Sequence, residues 1–149
     1  MNVLVSRATA EELDEVGTLF DEYRVFYGQP SDREAASQFL ADRFECEDSV
    51  ILLARDDDER AVGFAQLYPS FSSVGMKRIW ILNDLYVEES SRRAGVGTAL
   101  ITAVNDFARP SGAARVELAT AKENQAAKLL YEAMGFAADR VFDHYKRIV

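Results

Sequence analysis

Arg92, Arg93, Gly95 and Gly97 lie in the stretch VEESSRRAGVGTAL, between an apolar run and an amphipathic one. Glycines let a main chain approach a ligand with no Cβ intervening. A helix that begins here leaves its first N–H groups unpaired, and its dipole adds partial positive charge. With two arginines at the same place, the turn suits the binding of a phosphate or pyrophosphate. Upstream, Asn83 and Asp84 interrupt the apolar segment WILNDLYV. A charge inside such a strand is seldom buried without a partner. Asp84 is therefore either a proton-transfer group or a structural one that caps a bulge or pairs with an arginine. Downstream, Asn124 and Tyr131 are seven residues apart in NQAAKLLYEAMGF. That is nearly two helical turns, so both project from one face, with the small Ala127 between them. Such a face suits a long, thin ligand. Read alone, Tyr131 would be a core aromatic.

Two other phosphate-binding patterns can be compared with the glycine turn. A Walker A loop requires a lysine followed by serine or threonine after its last glycine, and none is present. A dinucleotide fingerprint requires a third glycine, where this chain has Leu100. Glu117 does stand about 20 residues on, as that fingerprint prefers, but inside a predicted strand. A nucleotide-binding oxidoreductase is thus a weak rival.

These residues need a scaffold, and 149 residues suffice for one domain, 1–149, with a sizeable core. The net charge of −8 and the isoelectric point near 4.7 argue against a nucleic-acid scaffold and are compatible with a cationic partner. Cys46 is the single cysteine, so no internal disulfide forms, and its acidic neighbours disfavour a thiolate. His144 is the single histidine, and no metal-ligand cluster is visible. No apolar run is long enough to span a bilayer, and the N-terminus lacks a signal-peptide pattern. A soluble, cytoplasmic protein is expected, with no membrane or nucleic-acid partner.

The elements follow from periodicity. Residues 2–7 form a short strand. Thr9 with Glu12 makes a capping box for a helix bearing Leu13, Val16, Phe20, Tyr23 and Tyr27 on one face. SDREAASQFLADRF is a second helix, capped by Ser31. Val50–Ala54 is a strand buried on both faces, and Pro69 closes the next strand. MKRIWILNDLYV is the strongest strand, and the helix after the glycine turn carries Val96, Leu100 and Val104. ARVELAT is a strand, NQAAKLLYEAMG a helix ended by Gly135, and VFDHYKRIV a final strand with His144 on its surface. The order mixes hairpins with crossovers. It implies an α/β fold with a mixed, mostly antiparallel twisted sheet flanked by helices.

RRAGVG fits Arg/Gln-x-x-Gly-x-Gly/Ala at Arg92, Gly95 and Gly97, after a strong strand and before an Asn…Tyr…Gly-Phe segment. Together these resemble the GNAT superfamily of acetyl-CoA-dependent N-acetyltransferases, from about residue 50 onward. The resemblance implies two parallel central strands that splay apart, with acetyl-CoA in the opening. The pyrophosphate would rest on the main chain of Arg92, Arg93, Ala94, Gly95, Val96, Gly97 and Thr98. The pantetheine arm would pair with Leu85, Tyr86 and Val87 and contact Asn124, Ala127 and Lys128. Tyr131 would protonate the departing thiolate as general acid. An amine with a pKa near 10.4 needs a base, and Asp84 with Asn83 are the candidates. A main-chain N–H near Leu85 would stabilise the oxyanion.

The resemblance places the acceptor among Tyr23, Phe26, Tyr27, Phe71, Asn83, Phe142 and Tyr145, with Asp21 and Glu22 nearby. Aromatics with acids suit a small cationic amine. The segment GFAQLYPSFSSVGMKRIWILNDLYV is similar to that of spermidine/spermine acetyltransferases, which carry an acidic residue where this chain has Asn83. Direct transfer in a ternary complex is expected, since Cys46 lies far from the motifs. The resemblance also admits a homodimer, a frequent assembly in the family. Acetylation of protein lysines or N-termini, and an acyl-CoA-sensing module without turnover, are the alternatives.

Overall fold

The computed structural model describes residues 1–149, and the chain divides into two compact units, Met1–Ala119 and Thr120–Val149. In the first unit, strand β1 (Leu4–Arg7) leads to the expected capping box. Thr9 N–H donates to Glu12 Oε1 at 3.0 Å, and Thr9 Oγ1 accepts from Glu11 N–H at 3.4 Å. A single 3-10 turn, Ala10–Glu12, follows and runs into helix α1, Leu13–Phe26. Helix α2, Arg33–Cys46, is capped by Asp32 rather than Ser31, through Ala35 N–H to Asp32 Oδ1 at 3.0 Å. Ser31 is engaged elsewhere. The buried Asp21 of α1 needs donors, and it takes the Ser31 hydroxyl at 2.6 Å and the Asp32 N–H at 2.7 Å.

Strands β2 (Val50–Arg55), β3 (Ala61–Ser72), β4 (Lys77–Val87) and β5 (Val116–Leu118) join β1 in one sheet, in sequence order. The first four are antiparallel neighbours, and β5 is parallel to β4. Val50–Ala54 is buried on both faces, as its unbroken apolar run implies. Ile51 and Leu53 meet α1 and α2 on one face. Val50, Leu52 and Ala54 meet α3 (Val96–Ala108) on the other.

Pro69 does not close β3, which continues to Ser72. Its partner Trp80 donates its N–H to Arg115 O, on the β5 side. The pair is therefore not hydrogen-bonded, and the proline nitrogen turns toward the side where β2, last paired at Leu67, has already ended.

Two features of β4 matter for function. Gln66 pairs with Asp84 and Leu67 with Leu82, so Asn83 is an extra residue and β4 bulges there. β5 pairs with β4 only from Trp80 to Leu82. Beyond the bulge, β4 runs on to Val87 with a paired strand on one side alone, because β5 ends at Leu118.

The second unit contains helix α4, Gln125–Ala133, and no strand. The expected final strand in VFDHYKRIV is absent, and with it the strand position of His144. The N–H groups of Val141 and Phe142 both donate to Asp139 Oδ1, at 2.9 and 3.0 Å. This local turn takes the donors that a strand ladder would use.

Candidate active site

The glycine turn is built from the strand end outward. Glu88 Oε1 accepts from Ser91 Oγ at 2.9 Å and from Ser90 Oγ at 3.1 Å, and Arg60 pairs with the same carboxylate. Burial pulls the Glu88 carboxyl up, but the Arg60 and serine hydrogen bonds outweigh it and hold the group below its ordinary value. Arg92 Nε donates to Val87 O at 2.9 Å, and its guanidinium lies 5.3 Å from the Phe26 ring and 5.6 Å from the Tyr86 ring. Arg93 has φ +63° and Gly95 has φ +86°, two left-handed residues that fold the chain back into α3. The Ala99 N–H bond to Gly95 O closes the first helical turn, and no side chain caps this end. The N–H groups of Val96, Gly97 and Thr98 therefore remain for an anion. A Cβ on Gly95 would meet no atom within 4 Å, so the main chain is open where a ligand would approach.

The edge of β4 beyond its pairing with β5 adjoins this turn. Glu88 N–H donates to Val62 O, so Glu88 and, by alternation, Tyr86 face β3. Leu85 and Val87 then direct their main-chain groups to the side that β5 has left. Arg92 already takes Val87 O there.

On the face covered by α1 and α2, Asp84 is 4% exposed. Its Oδ2 accepts from Gln66 Nε2 at 2.7 Å and its Oδ1 from Asn83 Nδ2 at 3.1 Å. Burial raises the Asp84 carboxyl above its ordinary value, and hydrogen bonds from Gln66, Tyr23 and Asn83 oppose the rise. The Tyr23 hydroxyl also reaches Asn83 O at 3.5 Å. The Tyr23 ring stands between Phe64 at 5.7 Å, Tyr86 at 6.1 Å and Tyr27 at 5.1 Å. Tyr68 is pushed up to about 12, by burial first and by the Asp84 charge second. The bulge thus lets Asn83 and Asp84 hydrogen-bond to each other, and Tyr23 joins them. Phe71 is not in this cluster. It lies five residues along β3 from Gln66, against Arg78 at 4.4 Å.

An open groove of about 1020 Å³ runs between the C-terminal part of α1 and the loop after β4. It is lined by Asp21, Glu22, Val25, Phe26, Ser31, Tyr86, Glu88, Glu89, Ser90 and Arg92. The sequence reading missed Gln66, Tyr68, Arg60 and the Glu88–Ser91 clasp. For Gln66 a signal existed, since it is a polar residue in the apolar run AVGFAQLYP.

In the second unit, Asn124 stands outside α4 as its N-cap, with Oδ1 accepting from Ala127 N–H at 3.2 Å. It is not a helical residue sharing a face with Tyr131, because asparagine is favoured at the cap. The cap uses the carboxamide oxygen and leaves the Nδ2 donors out of that bond. Lys128 Nζ donates to Lys122 O, and the Tyr131 ring lies 5.9 Å from Phe136. Phe142 and Tyr145 also belong to this unit. No group of three or more His, Cys, Asp or Glu is placed to hold a metal, and no helix is long and apolar enough to cross a membrane.

A family model described as the acetyltransferase (GNAT) family matches residues 16–136. Uncharacterized N-acetyltransferase YhfO of Bacillus subtilis (strain 168) is 44% identical over 141 residues, covering 95% of this chain and 94% of its own. D-amino-acid N-acetyltransferase HPA3 of Saccharomyces cerevisiae is 37% identical over 87 residues, 58% of this chain and 53% of its own. A crystal structure of a probable acetyltransferase matches with a TM-score of 0.92 at 42% identity, over 100% of this chain and 98% of that one.

Proposed function

The chain belongs to the acetyltransferase (GNAT) family, and on that premise we propose that it transfers the acetyl group of acetyl-CoA directly to a small cationic primary amine. The observation that carries the reading is a β4 edge without a strand partner at Leu85 and Val87, where Arg92 alone takes Val87 O, beside an uncapped α3 start one loop away. A strand edge suits the amides of a pantetheine arm, and the free N–H groups of Val96, Gly97 and Thr98 suit a pyrophosphate. Arg93 adds charge at the turn. Asn124, Ala127 and Lys128 are assigned to the arm as well. The family match spans both compact units, which supports residues 1–149 acting as one acetyltransferase domain.

Bound acetyl-CoA supplies an activated acetyl group as its thioester. Asp84, being buried, takes a proton from the ammonium acceptor by way of water, and its carboxylate becomes a carboxylic acid. The amine nitrogen then bonds to the acetyl carbon, and the Leu85 N–H donates to the carbonyl oxygen as negative charge builds there. When the carbon–sulfur bond breaks, the Tyr131 O–H gives its proton to the sulfur. The second amine proton returns to the tyrosine oxygen through solvent. Cys46, exposed at the end of α2, has no part in this route.

Charge supports a cationic acceptor. The groove carries Asp21, Glu22, Glu88 and Glu89 against Arg92, and the whole chain carries −8. Tyr23, Tyr27 and Asn83 are assigned to the acceptor, with Tyr23 and Asn83 at the base and Tyr27 beside them. Phe71 would take part only with a long acceptor. The test is a calorimetric titration of acetyl-CoA into the chain, followed by CoA-thiol release with polyamines, basic amino acids, aminoglycosides and peptides. One acetyl-CoA site per chain, and release with a small cationic amine, is expected. Absence of binding well above typical cellular acetyl-CoA overturns the reading, and release with peptides alone replaces the acceptor by a protein.

A further inference from the structure

Gln66 is fully buried on β3, on the face it shares with Phe64 and turned toward the core layer under α1 and α2. One end of its carboxamide is engaged and the other is not. Nε2 donates to Asp84 Oδ2 at 2.7 Å, whereas Oε1 has no hydrogen-bond partner. A buried acceptor left unpaired carries a desolvation cost, so the arrangement calls for a second state in which that oxygen is used.

The chemistry of the neighbour provides one. An ionised carboxylate only accepts hydrogen bonds, while a protonated one must donate. A carboxamide offers one donor end and one acceptor end, so by turning over it serves both forms. The groups that face Asp84 are few. Gln66 and Tyr68 come from β3, Tyr23 from α1, and Asn83 from the bulge, and none is a cation that could hold the carboxylate by charge. Asn83 Nδ2 serves the other oxygen and can stay in place in either form. Tyr23 also hydrogen-bonds to Asp84, and its hydroxyl is shared with Asn83 O at 3.5 Å.

We propose that Gln66 is the positioning residue for proton transfer at Asp84, donating from Nε2 to the carboxylate before transfer and accepting at Oε1 from the carboxyl O–H afterwards. The proton involved is the one taken from the ammonium acceptor. No bond other than its own is made or broken, and the carboxamide turns about its last torsion. The inference rests on the reading of Asp84 as the base.

The test compares kcat/KM against pH for the wild type and for Gln66→Met, which keeps length and volume but has neither donor nor strong acceptor. Without the Gln66 donor the Asp84 carboxylate holds its proton more tightly. On the acid side of the profile kcat/KM falls by several-fold to about tenfold, since the charge-assisted bond lost from the carboxylate outweighs the neutral bond lost from the acid. At alkaline pH the loss shrinks, and the KM for acetyl-CoA moves less than about threefold. A merely structural role would depress the whole profile and leave its acid limb in place.

If Gln66→Met does not fold, the wild type decides alone. Its Gln66 side-chain amide ¹⁵N–H resonances are followed against the Asp84 carboxyl ¹³C resonance through a pH titration. A shared midpoint, with a change in amide shift, is the expected result. Amide signals indifferent to Asp84 protonation, or an unmoved acid limb in Gln66→Met, overturn the proposal. Full activity in Asp84→Asn instead removes Asp84 as the base and the catalytic part of Gln66 with it. The NMR coupling, measured without an acceptor, separates that outcome from a failure of the hydrogen-bond exchange itself.

Discussion

An alanine at position 63 and a glutamate at position 95 should damage different properties. A Cβ added to Gly63 would stand 2.8 Å from Tyr86 O, 3.2 Å from Val96 Cγ1 and 3.3 Å from Leu100 Cδ1. The first contact is with the main chain of the neighbouring strand, which cannot rotate away as a side chain can. Overpacking of this kind costs about 1–3 kcal/mol. For a chain of this size each kcal/mol lowers the melting temperature by about 2–4 °C, so Gly63→Ala should melt roughly 2–12 °C below wild type. Gly95 meets nothing within 4 Å but has φ +86°, so Gly95→Ala costs only the left-handed strain of about 1–2 kcal/mol. Gly95→Glu also puts a negative side chain where the phosphate would sit. Each charge-assisted N–H bond it forfeits is worth about 1.5–3 kcal/mol, or about ten- to a hundredfold in Kd. Thermal melts and acetyl-CoA calorimetry on the three variants separate the effects. Gly63→Ala should lose stability. Gly95→Glu should lose affinity with little further loss of stability. A Gly95→Glu chain that binds acetyl-CoA as the wild type does, or a Gly63→Ala chain that melts with it, would refute the reasoning.

Three further outcomes are expected. Asp84→Asn should lower turnover by about a hundredfold or more while raising the melting temperature at neutral pH. The Asp84 carboxyl is held above its ordinary value by burial, so its cost is absent below the unfolded value and grows as pH rises through the folded one. Melts of both proteins should therefore converge in acid and part near neutrality. Glu88 behaves in the opposite sense. Its value is lowered, so its contribution is present above the unfolded value and is lost as pH falls through the folded one. Glu88→Gln should accordingly flatten the acid side of the stability profile, as read by circular dichroism. Tyr131→Phe should cut kcat by about a hundredfold with little change in acetyl-CoA affinity, separable by stopped-flow thiol detection and calorimetry.

Much of the site was legible because it depends on local rules. The glycine turn, the polar pair inside β4 and the double-sided burial of β2 each leave a composition signature in a few residues. What escaped depends on competition between partners. Asp32 caps α2 because Asp21, eleven residues earlier, claims Ser31. Pro69 stays in β3 because β2 stops short of it, a fact of register rather than of sequence around the proline. The β-rich tail forms no strand because Asp139 takes two of its donors. Asn83 and Asp84 do not by themselves place the bulge that brings one onto the other. Its position is set by how β3 and β4 align over ten paired rows. The Gln66–Asp84 contact joins residues 18 apart, and no pattern within either strand points to the other.

The central claim is transfer of an acetyl group to an amine, and the most direct measurement is mass spectrometry of the acceptor itself. The chain is incubated with acetyl-CoA and a panel of small cationic amines, with Asp84→Asn as the control. The account predicts an acceptor carrying one acetyl group, formed in step with free CoA and nearly absent with the control. Acetyl-CoA that binds at the glycine turn and is recovered intact, with no amine modified, would contradict it and leave a binding module in place of an enzyme.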